Sequence, residues 1–149
     1  MADTFRLEIA SPLRLLVDEA VTEATIPGEQ GMLGILPGHA PLLSELGTGE
    51  LRYTLANGQR HFMAVHGGYL EISGNTARVA ALNAEYANEI DVARAEAALR
   101  RATERVANPL PGIDVARALN AMKRAQARLD AAKAAPSDYR GMPGPGLNQ

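Results

Sequence analysis

Glycine stops at position 74 of this chain and does not return until position 112. Ten of the 14 glycines lie between Gly28 and Gly74, and alanine then dominates from Ala77 to Ala135. Glycine serves turns and tight backbone approaches, whereas alanine has the highest intrinsic helix propensity, so the two stretches belong to different structural regimes. The break falls near residue 85. Charge changes sign with it. Residues 1–89 carry five basic and 11 acidic side chains, and residues 90–133 carry nine basic and five acidic ones.

The first regime is β. Phe5, Leu7 and Ile9 alternate with Thr4, Arg6 and Glu8, the period of a half-buried strand. Leu13 to Ile26 is rich in β-branched and apolar residues and ends at Pro27-Gly28. Leu51, Tyr53 and Leu55 alternate with polar neighbours into Asn57-Gly58, a tight hairpin signal. His61 to Val65 returns, Tyr69 to Ile72 follows Gly67-Gly68, and Ser73-Gly74-Asn75 turns the chain into Thr76 to Leu82. Short strands with regular turn signals over about 80 residues predict a sandwich or barrel.

The second regime is helical and repeated. Ile90-Asp91-Val92-Ala93-Arg94-Ala95 recurs as Ile113-Asp114-Val115-Ala116-Arg117-Ala118, with Asn108-Pro109-Leu110-Pro111-Gly112 between the copies. No helix crosses that segment easily, so two helices fold back as an αα-hairpin. Each begins with an Asp, favourable at a positive helix N-terminus. Val92, Leu99 and Val106 are spaced by seven, as are Val115, Met122 and Leu129. Ala95 and Ala102, with Ala118, Ala125 and Ala132, take the other seam position. An alanine seam buries little area at about 25 cal/mol per Å², so the helices should separate more easily than they unwind. The same heptads place Arg94, Arg101, Arg105, Arg117, Arg124 and Arg128 along one side of the hairpin. Like charges at that density call for an anion or an acidic surface; otherwise they form a solvated basic face.

The segment Ile26-Pro27-Gly28-Glu29-Gln30-Gly31-Met32-Leu33-Gly34-Ile35-Leu36-Pro37-Gly38-His39-Ala40-Pro41-Leu42 resembles the signature segment of the epsilon subunit of bacterial F-type ATP synthases. Gly67-Gly68-Tyr69-Leu70-Glu71-Ile72 resembles that family's next landmark, and the hairpin follows in the family's order. The resemblance covers residues 4 to about 133. It implies an N-terminal antiparallel β-sandwich over residues 1–86 and a C-terminal antiparallel α-helical hairpin over 87–135. The chain departs from the family by running past the usual helix end into a Pro/Gly-rich stretch, Pro136 to Gly146, that cannot be helical, so a disordered tail is expected over 136–149.

It further implies a non-catalytic rotor subunit of the central stalk, coupling the catalytic head to the proton-driven c ring. The sandwich would dock on the gamma subunit and c ring through Gly28, Glu29, Gly31, Met32, Leu33, His39, Pro41 and Leu42. The hairpin would either fold down on the sandwich or extend along gamma to the beta subunits and block ATP hydrolysis. No cofactor is required, but in some members the folded hairpin binds regulatory ATP. The residues matching that site here are Glu85, Ile90, Asp91, Arg94, Arg101, Arg124 and Arg128. Met32 departs from the family, which often has an acidic or polar residue there, and favours an apolar contact.

Other functions find less support. The chain has no cysteine, which excludes disulfides, thiolate metal sites and a cysteine nucleophile. No apolar run reaches membrane-spanning length, and the N-terminus lacks a secretory signal pattern. The resemblance implies a peripheral location, on the cytoplasmic face of the bacterial plasma membrane. His61 and His66 are five apart, so on one strand they face opposite sides and share no metal. There is no Gly-rich phosphate loop of the Walker type. The rival class is a nucleic-acid-binding basic hairpin. The acidic N-terminal half and the lack of aromatics between Tyr86 and Tyr139 weigh against it, so no nucleic-acid partner is expected.

Overall fold

The computed structural model describes residues 3–141. Seven strands come first: β1 (Phe5–Ala10), β2 (Leu15–Gly28), β3 (Gly31–Ile35), β4 (Leu42–Leu55), β5 (Arg60–Ser73), β6 (Thr76–Ala81) and β7 (Ala84–Tyr86). A 3₁₀ turn, Ala87–Glu89, leads into helices α1 (Val92–Ala107) and α2 (Val115–Ala134). The strands run in the order β1-β6-β5-β4-β2-β3, and β1 also pairs β2, so the sheet closes on itself as a flattened barrel. Closure removes most free sheet edges, and all pairings are antiparallel except β1 with β6. This is the β-sandwich followed by a helical hairpin that the sequence predicts.

The core is aliphatic, as an alternating pattern without tryptophan requires. Leu7, Ile9, Val21, Ile26, Leu51, Met63, Val65 and Leu70 fill the interior, with Phe5, Tyr53 and Tyr86 as its aromatic members. Tyr86 donates its hydroxyl hydrogen to the carbonyl of Leu16 at 2.8 Å. β4 and β5 pair in one register from Leu42↔Ile72 to Thr54↔Arg60, so Gly67-Gly68 interrupts nothing and the two short strands expected there are one. Gly68 has φ +126, and a Cβ on it would strike the Ala80 carbonyl across the β5–β6 pair. Glycine is thus required at that position for both dihedral and space.

β5 departs from simple alternation: His61 to His66 are all buried. Met63 and Val65 point into the barrel, whereas Phe62 and Ala64 point outward beneath α2. The helix covers them with Ala127 and Ala131, joined at the margin by Ile90, Ala134 and Tyr139. His61 stacks on Tyr53 at 5.2 Å between ring centroids, and His66 faces Glu85. The two histidines do lie on opposite sides. Among the described residues no group of three metal-ligating side chains forms, and no helix is long and apolar enough to cross a membrane.

Within the hairpin, Ala95 and Ala102 of α1 meet Ala118 and Ala125 of α2 in the buried seam. The larger heptad residues are not enclosed. Leu99, Val106, Met122 and Leu129 are half-buried, and Val92 and Val115 are 43% and 38% exposed. Two helices alone offer one enclosed stripe, and the remaining buried face of α2 is given to the sheet. Asp91 and Asp114 are the N-caps, accepting from the backbone N–H of Arg94 at 3.1 Å and of Arg117 at 3.0 Å. Each satisfies a helix-end donor that has no intrahelical partner.

The tail expected to be disordered over 136–149 is partly placed. Pro136 ends α2, and residues 136–141 turn back onto the sandwich, with Tyr139 half-buried against Phe62 and His61. An aromatic side chain that finds an apolar face outweighs a Pro/Gly composition that disfavours order. Residues 142–149 lie outside the described residues.

Candidate functional site

A cavity of about 350 Å³ opens where the sandwich meets the hairpin. Its sandwich wall is Glu85 at the middle of β7 and Glu89 of the 3₁₀ turn. Its helical wall is Asp91, Arg94, Ala95, Ala98 and Arg101 along one side of α1, with Arg128 reaching in from α2. Positions 94, 98 and 101 fall on one helical face by their spacing of four and three, so Ala98 leaves an open floor between two guanidinium groups.

Five of the seven residues matched to the nucleotide site therefore line one cavity: Glu85, Asp91, Arg94, Arg101 and Arg128. Two do not. Ile90 is half-buried at the edge of the apolar cluster formed by Phe62, Ala64, Ala127 and Ala131. Arg124 is exposed, one turn along α2 from Arg128. The six arginines expected to converge are spread along the hairpin. Arg105 lines a separate depression at the hairpin tip with Asn108, Leu110 and Ile113. The rise of about 1.5 Å per residue places Arg94 and Arg105 some 16 Å apart along α1, so one small ligand cannot gather both.

Glu85 is the electrostatic centre of the site. Its Oε1 accepts from Arg128 Nε at 2.6 Å and from His66 Nε2 at 3.0 Å. Burial pushes the carboxyl up, but the hydrogen bonds from His66 and Arg128, with the charge of Arg128, outweigh it and hold Glu85 below the ordinary carboxylate range. The carboxylate thus ties β7 and β5 of the sandwich to α2 of the hairpin. Glu89 is engaged differently, in a two-pronged pair with Arg14 at 2.7 and 3.2 Å. Arg94 and Arg101 are exposed guanidinium groups on the cavity wall.

His66 was not visible as a site residue in the sequence. The signal lies in tertiary structure, where β7 pairs β5 with Ala64↔Glu85 and so sets Glu85 near His66. Asp91 has a structural role as well. Its carboxylate is occupied as a helix cap, and Asp114 repeats that role at a helix start that lines no part of this cavity. The Ile-Asp-x-x-Arg-Ala pattern is therefore explained in both copies by capping, and only the first copy faces Glu85.

The opposite end of the barrel carries the residues matched to the subunit interface. Gly28, Glu29, Gly31, Met32 and Leu33 form the β2–β3 hairpin, where Gly31 adopts φ +134 and Met32 is 56% exposed. Glu29 N–H donates to the Glu45 carbonyl at 3.0 Å, which seats this hairpin on β4. The Pro37-Gly38-His39 turn is held by Gly38 N–H donating to Asn75 Oδ1 at 3.0 Å. His39 is half-buried, and its Nδ1–H donates to the Ala40 carbonyl at 2.7 Å. Pro41 is exposed and Leu42 half-buried beside Leu43, which is 74% exposed. On β5 the cavity lies at Ala64 and His66, whereas Leu42 pairs Ile72, six residues beyond His66, or roughly 20 Å along the strand.

A barrel-capped sheet carrying a docked helical pair, with a polar cavity at the joint and an exposed apolar end, defines a two-part β-sandwich and helical-hairpin subunit. Residues 4–87 match the family model "ATP synthase, Delta/Epsilon chain, beta-sandwich domain", and residues 88–133 match the model "ATP synthase, Delta/Epsilon chain, long alpha-helix domain". The chain belongs to the ATP synthase delta/epsilon chain family. It is 52% identical over 132 residues to the ATP synthase epsilon chain of Solibacter usitatus, covering 89% of this chain and 98% of that one. It is 49% identical over 111 residues to the epsilon chain of Carboxydothermus hydrogenoformans, covering 74% and 82%. Among solved structures it resembles a chain of the mitochondrial ATP synthase of Euglena gracilis (OSCP/F1/c-ring, rotational state 1). The TM-score is 0.77 at 22% identity, covering 87% of this chain and 81% of that one. A chain of the Tetrahymena thermophila mitochondrial ATP synthase central stalk and c ring aligns with TM-score 0.53 at 13% identity, covering 89% and 96%. These two likenesses concern the fold.

Proposed function

We propose that this chain is the epsilon subunit of a bacterial rotary ATP synthase, a non-catalytic part of the central stalk that restrains ATP hydrolysis through its hairpin. The observation that carries the proposal is the division of the molecule. One end of the barrel presents exposed Met32, Leu36 and Leu43, apolar groups suited to burial against partner subunits. The other end holds a hairpin whose contact with the sheet is made by alanines and by one shared carboxylate. The exposed end docks on gamma and the c ring, at the cytoplasmic face of the membrane. The hairpin leaves its berth and extends along gamma, where its arginines meet acidic residues of the beta subunit.

ATP is the regulatory ligand in this reading. Its phosphates take Arg94, Arg101 and Arg128, groups that make charge-assisted bonds to phosphate oxygens. A ligand that binds only the docked form shifts the population toward it by mass action. Arg124 lies one turn away and contributes at the rim, whereas Ile90 acts from the apolar cluster beneath the site.

The test is a synthase assembled with a chain that ends after Ile90. The cut belongs there and not at the composition break, because Tyr86 is part of the barrel core and β7 pairs β5. Assembly should persist and ATPase activity should rise relative to the full chain. An unchanged ATPase rate in an assembled enzyme would refute the inhibitory role.

A further inference from the structure

β7 pairs β5 only over Met63, Ala64 and Val65, so the edge of β5 is open at Phe62. An open edge leaves backbone N–H and C=O groups without partners. Here a side chain supplies them. Tyr139 Oη accepts from the Phe62 N–H at 3.3 Å and lies 3.5 Å from the Phe62 carbonyl. The same oxygen lies 3.2 Å from Nδ1 of His61, whose charged form burial disfavours. With the ring proton on Nδ1, the hydroxyl accepts from His61 and from the Phe62 N–H and donates to the Phe62 carbonyl, its full complement of one donated and two accepted bonds. The ring packs edge-on against both Phe62 and His61, with centroids 5.7 Å away in each case.

The chain reaches this place by design of its local sequence. Pro136 cannot continue α2, and the Tyr139 N–H closes a turn by donating to the Pro136 carbonyl at 2.9 Å. Two residues further on, Gly141 lies so close to the sandwich that a Cβ there would displace the Asn88 amide oxygen and press on Cβ and Cγ of Tyr86 at 3.1 Å. The segment therefore has two holds on the sandwich, one at each end of a short span, and both lie beyond the last residue of α2.

We propose that residues 136–141 form a strap that fastens the docked hairpin to the sandwich, with Tyr139 pinned at the open edge of β5 and Gly141 seated against Tyr86. α2 offers the sheet mainly alanine methyls, which bury little area each. The strap adds the one large aromatic contact from the C-terminal side of the hairpin, so release of Tyr139 precedes or accompanies undocking. Its docking role depends only on the arrangement described here; its use in controlling hydrolysis rests on the function proposed above.

The experiment uses the full isolated chain and needs no synthase. Amide hydrogen exchange is followed at Phe62, along α2, and in β1 and β2 as an internal standard of barrel integrity. In Tyr139→Ala the Phe62 amide and the α2 amides should exchange about tenfold faster or more, the ratio that a lost contact of roughly 1.4 kcal/mol produces, with β1 and β2 unchanged. Tyr139→Phe keeps the ring and loses the hydroxyl, so Phe62 should respond more than α2. Gly141→Leu, which leaves Tyr139 intact, should also speed α2. Unchanged exchange at Phe62 and α2 in Tyr139→Ala, or a uniform loss of protection that includes β1 and β2 in all three variants, would overturn the strap. Because the readout is docking itself, a failed strap is distinguishable from a hairpin that docks but does not inhibit.

Discussion

Replacing Glu85 by Gln isolates what charge contributes to holding the hairpin down. The substitution keeps the side chain's shape and its Oε1 acceptor, so Arg128 and His66 retain a neutral oxygen to bond. What is lost is the carboxylate charge at 2.6 Å from Arg128 Nε and 3.0 Å from His66 Nε2. A hydrogen bond to a charged group contributes about 1.5–3 kcal/mol, and an exposed ion pair about 0–1 kcal/mol. The Glu85 and Arg128 side chains are 24% and 29% exposed, between those cases. A loss of about 1–2 kcal/mol follows, or roughly a 5- to 30-fold rise in the undocked population. Exchange of the α2 amides should accelerate by that factor, with β1 and β6 unaffected. A double-mutant cycle with Arg128→Met should return a coupling near 1 kcal/mol, as contacting charged groups do (range about 0.5–3). Unaltered α2 exchange, or a coupling below about 0.3 kcal/mol, would show that Glu85 and Arg128 are solvated independently and that the joint rests on packing alone.

Asp91→Ala and Asp114→Ala should each cost the hairpin about 1 kcal/mol as lost N-caps, measured by thermal unfolding. Only Asp91→Ala should also weaken ATP binding by calorimetry, since Asp114 lies away from the cavity. Acid should loosen the molecule in two stages. His61 has its pKa lowered by burial, so its contribution is whole above the ordinary 6.5 and is lost as pH falls through the lower native value. Glu85, also lowered, follows below the ordinary 4.5. The urea midpoint should therefore fall first below about pH 6.5 and again below about pH 4.5, and His61→Phe should remove the first stage. A midpoint that rises with acid would reverse the sign of both.

Much of this architecture is written locally. Asn57-Gly58 makes its hairpin, the glycine-free alanine stretch makes helices, and Pro109 and Pro111 flank their reversal, because each depends on neighbours in sequence. What depended on distant neighbours was not legible. Nothing near Glu85 announces that β7 will set it beside His66, nor that Arg128, 43 residues on, will reach the same oxygen. The heptad pattern located the seam but overstated the burial of Val92 and Val115, because a period cannot say how many elements surround a helix. Tyr139 was hidden by its company: a Pro/Gly-rich context reads as solvent, and only the open edge of β5 gives its hydroxyl a place to go.

β5 is a wall with two tenants. Its inner face belongs to the barrel, where Met63 and Val65 are locked among residues that never meet solvent; its outer face lends Phe62 and Ala64 to the helix. Departure of the hairpin would therefore bare one phenyl ring, Phe62, and the methyl groups of Ala64 and Ala87, the ring flanked by Arg52 and Arg60, whose guanidinium carbons sit 5.6 and 5.5 Å from its centre. Those cations already lie over the ring while the helix is docked and can remain there afterwards, which blunts the exposed patch against sticking to other molecules. In the switch proposed above the hairpin, a third of the chain, would leave the surface of the sandwich without opening the core. Switching would then draw on one face of β5 and unfolding on the other, and a change that alters one need not disturb the other.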